Sequence, residues 1–168
     1  MPLFAFEGRS PRVDPTAFVA PTATLIGDVV IGPRCYIAPG AVLRGDFARL
    51  TVEAGSNVQD NSVVHTFPGC DVTIGQDAHV GHGAVLHGCV IKRNALVGMN
   101  AVVMDEAVVG ESAMVAACAF VKAGMVIGPR MLAAGIPAKV LRELSAEEIE
   151  WKLAGTREYQ NLAVRSRM

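Results

Sequence analysis

Apolar residues fall on a six-residue beat along most of this chain. Val13, Val19, Leu25, Ile31, Ile37 and Leu43 are each six apart. A nine-residue gap leads to Val52, Val58 and Val64, a ten-residue gap to Ile74, Val80 and Leu86, and a five-residue step to Ile91. Val97, Val103, Val109, Val115 and Val121 then restore the period. Four residues after most anchors stands a small or apolar residue, such as Ala23, Cys35, Ala41, Ala84 or Ala101. Offsets of four and six share parity, so on a strand both point to one side. An α-helix would scatter them, because six residues is not a whole number of 3.6-residue turns.

Glycine follows the anchor at Gly32, Gly75, Gly81, Gly98 and Gly110, as tight corners between short strands require. The pattern predicts an all-β fold, a parallel β-helix of hexapeptide repeats in which each repeat is one side of a coil. Eighteen anchors make six three-sided coils over 13–127. A segment of residues 1–12 precedes them, a connecting segment spans 128–143, and a C-terminal helix and tail occupy 144–168. A sandwich of short strands would show irregular turns and a period nearer ten. Crossovers between parallel strands are normally right-handed, and the period alone does not fix the hand here.

For the C-terminal helix, Ser145 and Glu148 form a capping box. Leu144, Ile149, Trp151 or Lys152, Leu153, Tyr159 and Leu162 give an interrupted apolar stripe. Gly155 with Thr156 is expected to divide the helix in two, and the tail VRSRM to fray.

Composition narrows the setting. The chain of 168 residues suits one core, and its 51% apolar content contains no run near 18 residues. A net charge of -1 gives no electrostatic case for nucleic acid or an anionic membrane surface. Cys35, Cys70, Cys89 and Cys118 form no paired motif, and the start MPLFAFEGRS has no signal-peptide pattern. A reduced cytoplasmic protein is the expectation.

Candidate chemistry appears once the sides are lettered a, b and c from Val13. All three breaks in the beat fall at the corner from c to a. Arg44, His65 and His87 each follow a side-c anchor directly, so they point outward in one column on successive coils. Parallel strands stack about 4.8 Å apart, and two nitrogens on one zinc, each bound at about 2.0–2.1 Å, lie about 3.4 Å apart. Modest convergence closes the difference. His82 sits on side b, one coil above Asp60, and a neighbouring subunit is expected to supply it, giving three sites per cyclic trimer. Arg44 and Asp46 suit the same subunit interface, where a guanidinium forks onto a carboxylate. His79 reads as a solvated surface histidine, and Met99, Met104, Met114 and Met125 as packing.

The runs RGDFARLTVEAGSNVQDNSVVH and VGHGAVLHGC, with their histidines in this order, resemble the γ-class carbonic anhydrases. AFEG, LVGMNAVVMD and EWKLAGTREYQNLAVR bring the chain nearest the subgroup associated with phenylacetate degradation and carnitine metabolism. The resemblance implies a left-handed β-helix, a homotrimer, and a zinc, iron(II) or cobalt(II) ion on His65, His87 and the neighbour's His82. It places Arg44 and Asp46 at the interface, gives Gln59 and Asp60 the ordering of the metal-bound water, and brings Tyr159 of the terminal helix to the site. The implied reaction is zinc-hydroxide attack on CO2 to give bicarbonate, a lyase activity.

Strongly active members carry a longer acidic loop with a proton-shuttling glutamate. Here sixteen residues separate His65 from His82, none of them the shuttling glutamate, and Phe47 follows Asp46. This puts a fast rate in question. Two alternatives keep other chemistry in view. The first is metal-dependent hydrolysis of an acyl-CoA thioester, as the subgroup suggests. The second is hexapeptide acyl transfer by one general-base histidine without a metal. A non-catalytic scaffold would tolerate the loss of all three histidines.

Overall fold

A computed structural model describes residues 3–167, so Met1, Pro2 and Met168, which fall within the expected N-terminal segment and tail, lie outside the description. The chain winds as a left-handed parallel β-helix of about seven turns, closed by one C-terminal helix. The six-residue anchors lie in register from coil to coil: Val80 pairs with Val58 and Val97, and Leu86 with Val64 and Val103. Their side chains, with the alanines four residues on, are buried and form a single core. Branched residues fill the sides and alanines the corners, because a triangular coil narrows where its sides meet.

The coils extend past both expected ends. Leu3 stacks on Leu25, in the segment expected to precede the repeats. At the other end Ile127 stacks on Val109 and Ala133 on Val115. Ile127 and Ala133 continue the count of six from Val121, but an alanine anchor carries too little hydrophobic signal to stand out. Residues expected as a connection therefore form strand Met131–Gly135, the last parallel strand of side b, and strand Ala138–Glu143, which pairs with it antiparallel.

The broken corner from c to a is where the backbone departs most from the repeat. Strands Thr24–Ile31 and Val42–Val52 run through it without interruption and merge sides c and a into one 12-stranded sheet. Gly27, at φ +78°, and Gly45 let these two strands cross closely. A Cβ on Gly27 would stand 2.5 Å from the Gly45 carbonyl oxygen, and one on Gly45 would stand 2.5 Å from that of Asp28. Arg44 and Asp46 flank Gly45 on one face of the strand, where parity with the buried Leu43 turns both outward.

The helix is continuous over Ala146–Arg165 and carries the expected Ser145/Glu148 capping box. Gly155 and Thr156 do not divide it. Thr156 is buried and its hydroxyl donates to the Lys152 carbonyl, while docking on the coils holds the glycine in helical geometry. The buried face is polar: Lys152 Nζ donates to the Asp77 carbonyl and to Asn94 Oδ1 (2.8 Å), and Gln160 Nε2 donates to the Gly55 carbonyl (3.1 Å) and Asp77 Oδ1 (2.8 Å). Trp151 is 70% exposed, so the stripe takes Lys152.

Candidate metal centre

Side c brings the outward column together in register: Arg44 pairs with His65, and His65 with His87. Nδ1 of His65 lies 3.2 Å from Nε2 of His87. The remote nitrogens each meet a carboxylate. His65 Nε2 lies 2.8 Å from Asp46 Oδ1, and His87 Nδ1 lies 2.5 Å from Asp105 Oδ1. An ionised carboxylate only accepts, so the Nε2–H of His65 donates to Asp46 and the Nδ1–H of His87 donates to Asp105. The nitrogens left over, Nδ1 of His65 and Nε2 of His87, face each other across 3.2 Å, as two lone pairs if neither carries a proton. That arrangement is repulsive until one proton or one cation lies between them, and the separation is close to the roughly 3.4 Å of two nitrogens on a zinc ion. The donor set therefore fits a divalent cation that prefers imidazole.

Neighbours hold the pair still. Phe47 packs on His65 with ring centroids 5.1 Å apart, and Phe67 packs on His87 at 6.0 Å. Arg44 donates from Nε (3.1 Å) and Nη2 (2.9 Å) to Oδ2 of Asp46, leaving Oδ1 for His65. Burial pushes the Asp46 carboxyl up, but hydrogen bonds from Arg44 and His65 outweigh it and hold the group below the usual carboxylate range. Arg44 thus makes its fork onto Asp46 within the chain. Among the described residues no group of three or more His, Cys, Asp or Glu is placed to hold a metal ion.

His82 belongs to a second group, on side b. Its Nδ1 lies 2.8 Å from Asp60 Oδ2, so it too has a carboxylate on one nitrogen. Gln59, His79, His82, Lys152 and Tyr159 line a pocket of about 600 Å³ between side b and the helix, with Met99, Met114, Leu132 and Trp151 on its apolar walls. Met99 and Met114 thus face this space rather than filling the core. His79 is not a solvated histidine. Burial, with the charge of Lys152, pushes it down to about 4. Tyr159 meets it edge-on at 5.3 Å.

Gln59, itself buried, donates from Nε2 to Asn57 Oδ1 (3.0 Å) and lies 2.5 Å from His79 Nε2. His79 Nε2 accepts that second bond, and Asn57 Nδ2 lies 3.4 Å from the other ring nitrogen. Both Gln59 hydrogens are then used, and its Oε1 is left to accept. Burial pushes the Tyr159 phenol up, with Asp60 adding to the shift, so it stays a donor at neutral pH.

The expected residues therefore form two groups in one chain: Arg44, Asp46, His65 and His87 on side c, and Gln59, Asp60, His82 and Tyr159 on side b. Asp105, Asn57, His79 and Lys152 complete them without having been foreseen. The available signal for Asp105 was its place, an acid at the same corner one coil beyond His87.

Fold and site define a hexapeptide-repeat β-helix with carboxylate-oriented histidines on two of its three sides. A family model described as bacterial transferase hexapeptide (six repeats) matches residues 10–45. The carnitine operon protein CaiE of Citrobacter koseri is 54% identical over 99% of this chain and 85% of its own length. The chain belongs to this hexapeptide-repeat family of CaiE relatives. Among solved structures, a hexapeptide transferase family protein from Anaplasma phagocytophilum is 43% identical, with TM-score 0.94 over 99% of this chain and 98% of that one. A candidate acetyltransferase from Bacillus cereus is 34% identical, with TM-score 0.96 over 98% and 95%. More distant neighbours such as AntD, an N-acyltransferase from Bacillus cereus in complex with dTDP and 3-hydroxybutyryl-CoA, share the fold alone (13% identity, TM-score 0.66, 92% and 90% covered).

Proposed function

We propose that the protein is a homotrimeric metalloenzyme acting on acyl-CoA thioesters, with each metal centre formed by His65 and His87 of one subunit and His82 of the partner subunit. The observation that carries this reading is the 3.2 Å approach of His65 Nδ1 to His87 Nε2, with each ring held at its other nitrogen by its own carboxylate. A third histidine with the same carboxylate arrangement, on a side its own chain cannot bring to them, supports sharing between subunits. Zinc, or iron(II) or cobalt(II) in its place, supplies a Lewis acid for a carbonyl and lowers the pKa of water toward neutrality. Asp46, Asp105 and Asp60 each hold one ring nitrogen and so aim the three rings. Gln59 accepts from the attacking water through Oε1 and so orients it, with His79 and Asn57 holding the amide. Tyr159 donates its phenol proton as a hydrogen bond to the substrate carbonyl.

The pocket favours an acyl substrate. A mostly apolar space of about 600 Å³ far exceeds what CO2 needs and suits an acyl group. The transferase and acetyltransferase names of the relatives agree with acyl chemistry. CO2 hydration is the second reading, favoured by the all-histidine donor set.

One metal-loaded preparation tests both. Thiol release from acyl-CoAs and CO2 hydration are followed side by side, for the parent and for His65→Ala, His82→Ala and His87→Ala. Each variant is expected to lose most of its metal and at least a hundredfold in thiol release. Hydration of CO2 without thiol release transfers the function to the second reading. Full metal content in the variants overturns the site, and metal-free acyl transfer that depends on a single histidine replaces it with the acyltransferase alternative.

A further inference from the structure

Three arginines converge on one carboxylate at the same corner as the histidine column, nearer the start of the coils. Asp28 has a side chain only 9% exposed and lies 3.1 Å from Arg49 Nε, 3.5 Å from Arg12 Nη2 and 3.7 Å from Arg9 Nη1. The arginine side chains are 54%, 64% and 66% exposed. Arg9 is presented by a tight turn in which Phe6 and Arg9 exchange backbone hydrogen bonds. Together with Ser10 these four residues line a pocket of about 380 Å³. The cluster holds three positive charges and one negative, so two are unmatched. One remains unmatched even if Asp71 is counted, whose Oδ1 accepts the backbone N–H of Arg49.

Guanidiniums held apart by a buried anchor, with the Ser10 hydroxyl beside them, suit an anion with several oxygens better than a second carboxylate. We infer that this pocket binds a phosphate-bearing ligand, and that the ligand is the pyrophosphate and ribose-phosphate end of the coenzyme A whose thioester reaches the histidines. The coenzyme identity rests on the function proposed above, whereas the anion site stands on its own residues. Register gives the span. Ile26, two residues before Asp28, pairs with Arg44, and Arg44 with His65 and then His87. At about 4.8 Å per coil Asp28 lies roughly 10 Å from His65 and 14 Å from His87 along the axis, with Arg49 one coil nearer and Arg12 one coil farther. A pantetheine arm covers that distance without being fully extended.

Calorimetric titration of the metal-loaded protein with coenzyme A, pyrophosphate and inorganic phosphate tests the inference. Arg9 and Arg12 are the residues to change, because Arg49 holds Asp28 most closely. The Arg9→Gln/Arg12→Gln double variant is expected to bind coenzyme A at least tenfold more weakly. Its KM for acyl-CoA should rise in parallel, while metal content, kcat and hydrolysis of the uncharged ester p-nitrophenyl acetate stay unchanged. Binding to the parent should weaken as salt rises, and Arg12→Glu should weaken it further than Arg12→Gln. Unchanged coenzyme A affinity in the double variant overturns the site. Phosphate and pyrophosphate binding without coenzyme A binding overturns the coenzyme assignment. Arginine-dependent coenzyme A binding without thioester turnover upholds the anion site while the proposed function fails.

Discussion

At the scale of single residues, a carboxylate partner separates three histidines from the fourth. His65, His82 and His87 each place one ring nitrogen against an aspartate, whereas His79 meets the amides of Asn57 and Gln59. The aspartate is as consequential as the ring it orients. Asp105→Ala frees the His87 tautomer, and metal affinity measured by competition with a chelator is expected to fall about 10- to 100-fold while the circular dichroism spectrum is unchanged. Undiminished affinity would show that Asp105 is a bystander. His65 and His87 were legible in the sequence because they sit one residue beyond a side-c anchor, where strand parity sends them outward. Asp105 sits two residues beyond Val103, at a corner, where parity gives no direction. His79 was misread because the helix that covers it comes from far along the chain.

At the scale of elements, the terminal helix docks through a lysine. Lys152 is 2% exposed, and burial pushes its amine down to about 7 against the small opposing pull of Asp77. A neutral amine still donates to the Asp77 carbonyl and Asn94, so docking needs no counter-charge. The unfolded chain keeps this proton up to its ordinary pKa near 10.4, and the folded chain gives it up near 7. Between those values the unfolded state holds more protons at this amine, so the Lys152 contribution to stability rises with pH, by roughly 3 kcal/mol from pH 7 to 9.5, against an opposite trend from the buried Cys35 and Cys89 thiols, pushed up to about 12. Urea unfolding should show this slope in the parent and its loss in Lys152→Met; equal slopes in the two proteins would refute the account. Helix position and capping were readable from Ser145 and Glu148. The choice of Lys152 over Trp151 for the buried side was not, since a helical wheel cannot register the carbonyl and amide groups waiting on the coils.

At the scale of the whole molecule, the proposed centre would join two groups that each chain holds apart, His65 with His87 on side c and His82 on side b. Co-expressing a subunit bearing His82→Ala with one bearing both His65→Ala and His87→Ala is expected to give mixed trimers that regain metal and thiol release. Each parent variant alone should have neither. Mixed assemblies with no recovered metal would mean that the centre is not shared between subunits. The antiparallel strand Ala138–Glu143 bears on a different hazard of this fold. A stack of identical parallel coils has no intrinsic last member, and its open end offers a ready template on which another copy can continue. By reversing direction on side b, with Lys139, Arg142 and Glu143 exposed along its length, that strand presents its backbone in the wrong polarity for a further coil to add. On side b the winding thus ends in a charged antiparallel strand, one of the devices that discourage a further strand from pairing at an edge.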